Sequence, residues 1–281
     1  MTTLPPPVAR LSRAVWRDGR LRETADRATP EETAIALVYD GSTQAVMMAS
    51  PQDVEDFAVG FSLTEGIVSD AAEIESLDVV VHDLGLEARM WLAKDPSRAL
   101  GSRRRNLAGP TGCGLCGVDS LEQAAKPARR VEAEGAFTAA DIHAALETLQ
   151  RAQTLNFETR AVHGAAFYRP GEGLVAARED VGRHNALDKL AGHLARTGVD
   201  ASDGFVVLSS RVSVEMVQKT AMIGAPLLVA VSAPTALGVR MAEEAGITLV
   251  AIARGDGFEV FTHPHRVVDG AQSVPAGASA S

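Results

Sequence analysis

"GFVVLSSRVSVEMVQKTAMIGAPLLVAVSAPTALGVRMAEEAGITLVAIARG" (Gly204–Gly255) decides the fold. It holds three apolar runs, "FVVL", "PLLVAV" and "ITLVAI", each divided from the next by a helix-like stretch. None of the runs alternates polar with apolar. Unbroken Val/Leu/Ile runs are buried on both faces, which is the signature of parallel strands covered by helices. The spacing predicts strands over Gly204–Leu208, Pro226–Ser232 and Ile247–Ala253. Helices fall between them over Val212–Ile223 and Thr235–Ala245, and a short strand over Gly257–Phe261 follows.

The same grammar extends upstream. Thr138 and Asp141 form a capping box before a helix ending near Ala152. Strands follow over Ala161–Tyr168 and Gly173–Ala177, joined at Arg169-Pro170-Gly171, and then a helix over Gly182–Arg196. The order α-β-β-α-β-α-β-α-β implies a three-layer α/β sandwich over residues 133–269, where ligands collect at strand ends and helix N-termini. Nearer the N-terminus, "TAIALVY" and "QAVMMA" flank Asp40-Gly41, a strong hairpin signal. Ser50 and Pro51 read as the N-cap and first position of a helix that stops at Gly66. The strands "LDVVVH" and "EARMWLA" complete a smaller α+β domain over residues 31–94. Residues 1–30 form an N-terminal extension. Like the tail at 270–281, its start is read as frayed, because Pro5-Pro6-Pro7 opens it. Residues 95–132 read as a mobile loop and linker.

Composition narrows the function. The chain has 281 residues, a formal net charge of -9, 46% hydrophobic and only 4% aromatic residues. The acidic balance argues against a nucleic-acid partner. No apolar run approaches the roughly 18 residues of a membrane span, and no signal peptide opens the chain, so a cytoplasmic location is expected without a membrane partner. In that reducing compartment two nearby cysteines make a poor structural disulfide.

The only two cysteines, Cys113 and Cys116, lie in "GPTGCGLCGVDSL". Flanking glycines expose the sulfurs, and Arg103, Arg104 and Arg105 nearby favour the thiolate. A reactive thiol is the expected role, with half a zinc site or two incidental cysteines as the alternatives. Only two thiols exist and the histidines are scattered, so no metal site is expected. Three more stretches carry polar chemistry. "AREDVGRHNALDKLAG" (Ala177–Gly192) crowds Arg178, Glu179, Asp180, Arg183, His184, Asn185 and Asp188 at a helix start. "SSRVSVEMVQK" (Ser209–Lys219) brings Arg211, Ser209, Ser210 and Ser213 to another, an anion site or ordinary capping. "IARGDGF" (Ile252–Phe258) ends the last parallel strand, as a phosphate and guanine site or a plain turn.

Together these stretches resemble the formate dehydrogenase accessory sulfurtransferase family, FdhD. The matching pieces are "TGCGLCG", "NFETRAVHGAAFY", "REDVGRHNALDKL", the run from Ser209 to Gly255, and "FTHPHR", spanning roughly Ala34 to Arg266. The resemblance implies a cytidine-deaminase-like sandwich with its smaller N-terminal domain. It implies a sulfurtransferase that takes sulfur from a cysteine desulfurase as a cysteine persulfide. The sulfur then goes to the molybdenum bis-guanine-dinucleotide cofactor, destined for formate dehydrogenase. Cys113 maps to the persulfide carrier and Cys116 to its helper. Ile252, Ala253, Arg254, Gly255, Asp256 and Gly257 map to the cofactor-binding segment, with Arg183, His184 and Arg211 as further candidates. A homodimer is expected, from the resemblance and from the apolar helix "SVEMVQKTAMIGA". Two rivals stand beside this reading. One is a cofactor-binding chaperone that transfers no sulfur. The other is a zinc-dependent deaminase-like hydrolase, disfavoured because neither helix start at Gly182 or Ser210 carries a cysteine and His184 has no Glu two residues on.

Overall fold

The computed structural model describes residues 3–97 and 127–269. In chain order its elements begin with β1 (Val8–Arg17), β2 (Arg20–Pro30), β3 (Thr33–Tyr39), β4 (Ser42–Ala49), α1 (Val54–Thr64), β5 (Ile74–His82) and β6 (Gly85–Leu92). After the undescribed stretch come β7 (Phe137–Thr138), α2 (Ala139–Ala152), α3 (Thr154–Thr159), β8 (His163–Arg169), β9 (Gly173–Asp180) and α4 (Arg183–Arg196). The chain continues through β10 (Phe205–Leu208), α5 (Val214–Ile223), β11 (Leu227–Ala230), α6 (Ala236–Ala245), β12 (Thr248–Arg254), β13 (Gly257–Val260) and β14 (Val267–Val268). No described helix is long and apolar enough to cross a membrane. Two compact units form: Met1–Lys126 with Arg151–Ala166 and Ala176–Val199, and Pro127–Gln150 with Phe167–Val175 and Asp200–Ser281.

In the first unit, Asp40 (φ 50°) and Gly41 (φ 75°) make the two-residue turn that joins β3 to β4, as an Asp-Gly pair should. The sheet runs β4-β3-β6-β5, with β3 parallel to β6. One face is covered by α1, burying Ile35, Leu37, Tyr39, Phe57, Ala88 and Met90. Two features go beyond or against the sequence reading. Within the N-terminal extension, β1 and β2 pair antiparallel about Asp18 (φ 52°) and Gly19 (φ 72°), a hairpin not expected from the sequence. The arginine-rich strands hide that hairpin, because nothing in them alternates. Ser50 does not cap α1. The helix starts at Val54, behind Asp53 in a left-handed conformation, and Ser50 is buried in a polar cluster described below.

Helix α4 belongs to this unit because it crosses α1 at two glycines. A Cβ on Gly60 would lie 1.7 Å from the Asp188 carbonyl oxygen, and one on Gly192 would lie 1.8 Å from that of Asp56. Only glycine lets two helix backbones meet this closely. The segment 176–199, which the sequence order groups with the later strands, is thereby drawn to the N-terminal unit.

In the second unit, β10, β11 and β12 run parallel, with Phe205 opposite Leu227 and Leu227 opposite Thr248. β13 turns back antiparallel to β12. The full sheet order is β13-β12-β11-β10-β8-β9, its last two strands shared between the units. Residues 205–207 and 227–230 are fully buried, as their unbroken apolar runs require. The capping box forms: Thr138 N–H donates to Asp141 Oδ2 (3.0 Å), and Asp141 N–H donates to Thr138 Oγ1 (3.1 Å). Small pieces unread in the sequence also appear, namely the β7–β14 pair and the short helix α3.

Candidate functional site

Because β10, β11 and β12 are parallel, their carboxyl ends lie along one edge of the second unit. Three loops leave that edge, and backbone bonds lace them together. Val231 N–H donates to Leu208 O (3.0 Å), Thr235 N–H to Val212 O (2.9 Å) and Ile252 N–H to Ser232 O (3.3 Å). An isolated parallel bridge joins Val212 to Pro234. Loops tied in this way hold their side chains in register above the strand ends, where open α/β sheets bind ligands.

The loop after β12 is the most distinctive. Pairing with β13 shifts register between Ala251 and Arg254, and Ile252 sits at φ 53°. A β-branched residue in left-handed space is an outlier costing about 1–3 kcal/mol, and such strain gathers at functional sites. The bulge buries Ala253 and leaves Arg254, Gly255 and Asp256 exposed at the tip. Nothing lies within 4 Å of where a Gly255 Cβ would stand, so a ligand can approach the backbone there. Gly257 follows at φ 154°.

The loop after β10 adds Arg211, which is exposed, and Ser213, the N-cap of α5. The Ser213 side chain makes no capping bond, and its Oγ is buried without a hydrogen-bond partner. The edge thus offers two exposed guanidinium groups, the Asp256 carboxylate and a helix start left open by its own cap. Such groups can pair with phosphates through the guanidinium ions and accept hydrogen bonds through the carboxylate.

The first unit answers differently for "AREDVGRHNALDKLAG". Most of its polar groups hold the fold. Arg178 Nε and Nη2 donate to Asp56 Oδ2 (2.8 and 2.7 Å). Glu179 accepts from the N–H groups of Leu155 and Asn156 (both 2.8 Å), supplying from afar the cap that α3 lacks. Asp180 and Lys189 form an ion pair of 2.7 Å with both side chains fully buried. Around it, Ser50 N–H (2.9 Å), Gly182 N–H (2.8 Å) and Asn185 Nδ2 (3.0 Å) donate to Asp180, while Lys189 Nζ donates to Ser50 O (3.0 Å). Asp188 accepts from Thr64 Oγ1 (2.6 Å). A buried charge pair survives only when its remaining lone pairs and protons are met, as they are here.

Arg183 and His184 lie in the first turn of α4. The Arg183 Nε is buried without a hydrogen-bond partner. His163, at the start of β8, is held below its usual pKa by burial first and then by the neighbouring Arg183 charge. His163 joins this group only in three dimensions, since twenty residues separate it from Arg183 in the chain.

Cys113 and Cys116 lie outside the described residues. Among the described residues, no three or more His, Cys, Asp or Glu side chains converge to hold a metal ion. Arg183, His184 and His163 lie in the first unit, whereas Arg211 and Ile252–Gly257 lie in the second.

Residues 30–268 match the model of the FdhD/NarQ family. The chain is 54% identical over 260 residues to the sulfur carrier protein FdhD of Agrobacterium fabrum, covering 92% of this chain and 96% of that protein. It is 47% identical over 263 residues to the sulfur carrier protein FdhD of Cupriavidus necator, covering 94% and 91% respectively. Its fold is similar to the crystal structure of a candidate formate dehydrogenase accessory protein from Desulfotalea psychrophila. The TM-score there is 0.72 at 26% identity, over 94% of this chain and all of the other.

Proposed function

The chain belongs to the FdhD/NarQ family, and from that membership we propose that it is a sulfur carrier serving formate dehydrogenase, working as a sulfurtransferase through a cysteine persulfide. The donor is a cysteine desulfurase in the cytoplasm, and the acceptor is the molybdenum bis-guanine-dinucleotide cofactor, handled as substrate. The thiolate of Cys113 attacks the terminal sulfur of the donor persulfide. The donor S–S bond breaks, the donor cysteine leaves as thiolate, and Cys113 holds S–S⁻. Delivery of that sulfur as sulfide requires two electrons. Cys116 supplies them by attacking the inner sulfur of Cys113, which releases the outer sulfur and leaves a Cys113–Cys116 disulfide for an external thiol to reduce.

The observation that carries the substrate seat is the strained bulge at Ile252, which presents Arg254 and Asp256 at the strand ends with Arg211 on a neighbouring loop. Arg254 and Arg211 take phosphates, and Asp256 accepts from the guanine N1–H and N2–H₂ edge. The run of elements from β8 to β12 supports reading this framework as cytidine-deaminase-like, with the metal chemistry replaced by polyanion binding.

Mass spectrometry after incubation with a cysteine desulfurase and cysteine tests the reading. Native protein gains the mass of one sulfur atom, and Cys113→Ala does not. Full loading of Cys113→Ala moves the role to Cys116. No loading of the native protein favours a chaperone that binds cofactor without transferring sulfur.

A further inference from the structure

Among the described residues, the β1–β2 ribbon is supported only near its base. Its base is tied down: Arg10 pairs with Glu158 (3.0 Å), Arg27 Nη2 donates to Thr159 O (3.2 Å), and Glu31 N–H donates to Pro7 O (2.9 Å). Beyond the base, residues 11–14 and 16–22 are exposed. Side chains alternate faces along a strand, so consecutive exposed residues put both faces of the ribbon in water. A two-stranded hairpin wetted on both faces is marginally stable.

Its end is also oddly furnished. Trp16 and Leu21 stand opposite each other, 68% and 66% exposed. Next to them Arg17 faces Arg20. Like charges directly opposite destabilise a hairpin, and among the described residues no ion pair relieves Arg17, Arg20 or Arg22. Segment Val8–Pro30 carries six arginines against Asp18, Glu23 and Asp26, a charge of +3, so the rest of a chain of net -9 carries -12.

We propose that this ribbon is an arm that docks on a second copy of the chain, seating Trp16 and Leu21 while Arg17 and Arg20 meet carboxylates of the partner's acidic body. The charge division selects this occupant. A body of -12 repels nucleic acid and anionic lipid, but attracts the arm of another copy. Of the helix first expected to form the dimer, Met216 and Val217 of α5 are buried and Val214, Met222 and Ile223 half-buried, whereas Trp16 and Leu21 of the ribbon are exposed. The inference stands apart from the sulfur-transfer reading.

The chain has two tryptophans, so Trp91→Phe leaves Trp16 as the sole tryptophan, whose emission is read with excitation at the red edge that spares the tyrosines. Light scattering and fluorescence are read on the same dilution series. The expected result is a dimer whose formation moves Trp16 emission to the blue and protects it from acrylamide. Arg17→Glu with Arg20→Glu, or raised salt, should weaken association by about tenfold or more, with the circular dichroism spectrum unchanged. A monomer at tens of micromolar overturns the proposal. So does a dimer in which Trp16 keeps the emission of an exposed indole, or a blue shift that needs anionic vesicles or duplex DNA.

Discussion

Replacing Gly192 with Ala tests the crossing that binds α4 to α1. At an ordinary helix position this change stabilises by up to about 1 kcal/mol, because alanine is the better helix former. Here the new methyl would stand 1.8 Å from the backbone oxygen of Asp56. Ordinary van der Waals contact begins near 3.4 Å, so the helices must separate by about 1.6 Å. The obstacle is backbone, which no rotamer change can remove. Separation loosens packing along the whole crossing, where the backbones of Gly60 and Gly192 also meet. Overpacking of this kind costs about 3 kcal/mol, or roughly 6–12 °C in Tm for a unit of 150–250 residues. Thermal unfolding followed by circular dichroism reads the effect. Gly60→Ala should behave alike, its methyl falling 1.7 Å from the Asp188 oxygen. Both methyls demand the same separation, so the double variant should lose little more than either single one. A Tm that holds or rises in Gly192→Ala refutes the argument, since the sign itself separates a packing glycine from an idle one.

Three further outcomes are expected. Arg254→Ala should weaken GDP binding about tenfold, since one charge-assisted bond is worth roughly 1.5–3 kcal/mol, and Asp256→Asn should erase the preference for GDP over ADP in calorimetric titration. Lys189→Met should cost about 3–5 kcal/mol by leaving Asp180 buried and unpaired, read as a lower denaturant midpoint. His193 is held below its ordinary pKa of 6.5 by burial and then by the Arg178 charge. The unfolded chain therefore binds the proton first, and this part of the stability, present above pH 6.5, drains away as pH falls through the folded value. The melting temperature of the native protein should accordingly drop more steeply on acidification than that of His193→Gln.

Legibility in the sequence followed the range of the forces involved. The Asp40-Gly41 turn, the Thr138/Asp141 box and the three buried strands declare themselves within a few residues, because dihedral preference and local hydrogen bonding set them. Ser50 misled, since its neighbours spell a helix cap while its true partners, Asp180 and Lys189, lie more than a hundred residues away. Helix α3 was invisible for the same reason, its cap arriving from Glu179. The strand-end position of Arg254 and Asp256 was readable from the strand pattern. The left-handed Ile252 was not, because no residue advertises a conformation it disfavours. In "AREDVGRHNALDKLAG" the polar density was legible, but its division into fold-holding groups and the Arg183–His163 remainder depended on tertiary partners.

The glycine-to-glycine crossing also sets a timetable for synthesis. Helix α1 ends at Thr64, while α4 begins at Arg183, so about 120 residues separate the two. At roughly 5–20 residues per second a ribosome needs about 6–24 s to cover that distance. Throughout that interval the nascent chain holds α1 on its small sheet with the Gly60 side bare and the Asp56 carboxylate without its arginines. Long-range closure of this kind is slow and leaves apolar surface open to wrong partners. The first unit therefore stays open to wrong partners for much of translation, and a fragment ending at Lys126 should aggregate unless something else occupies the place of α4.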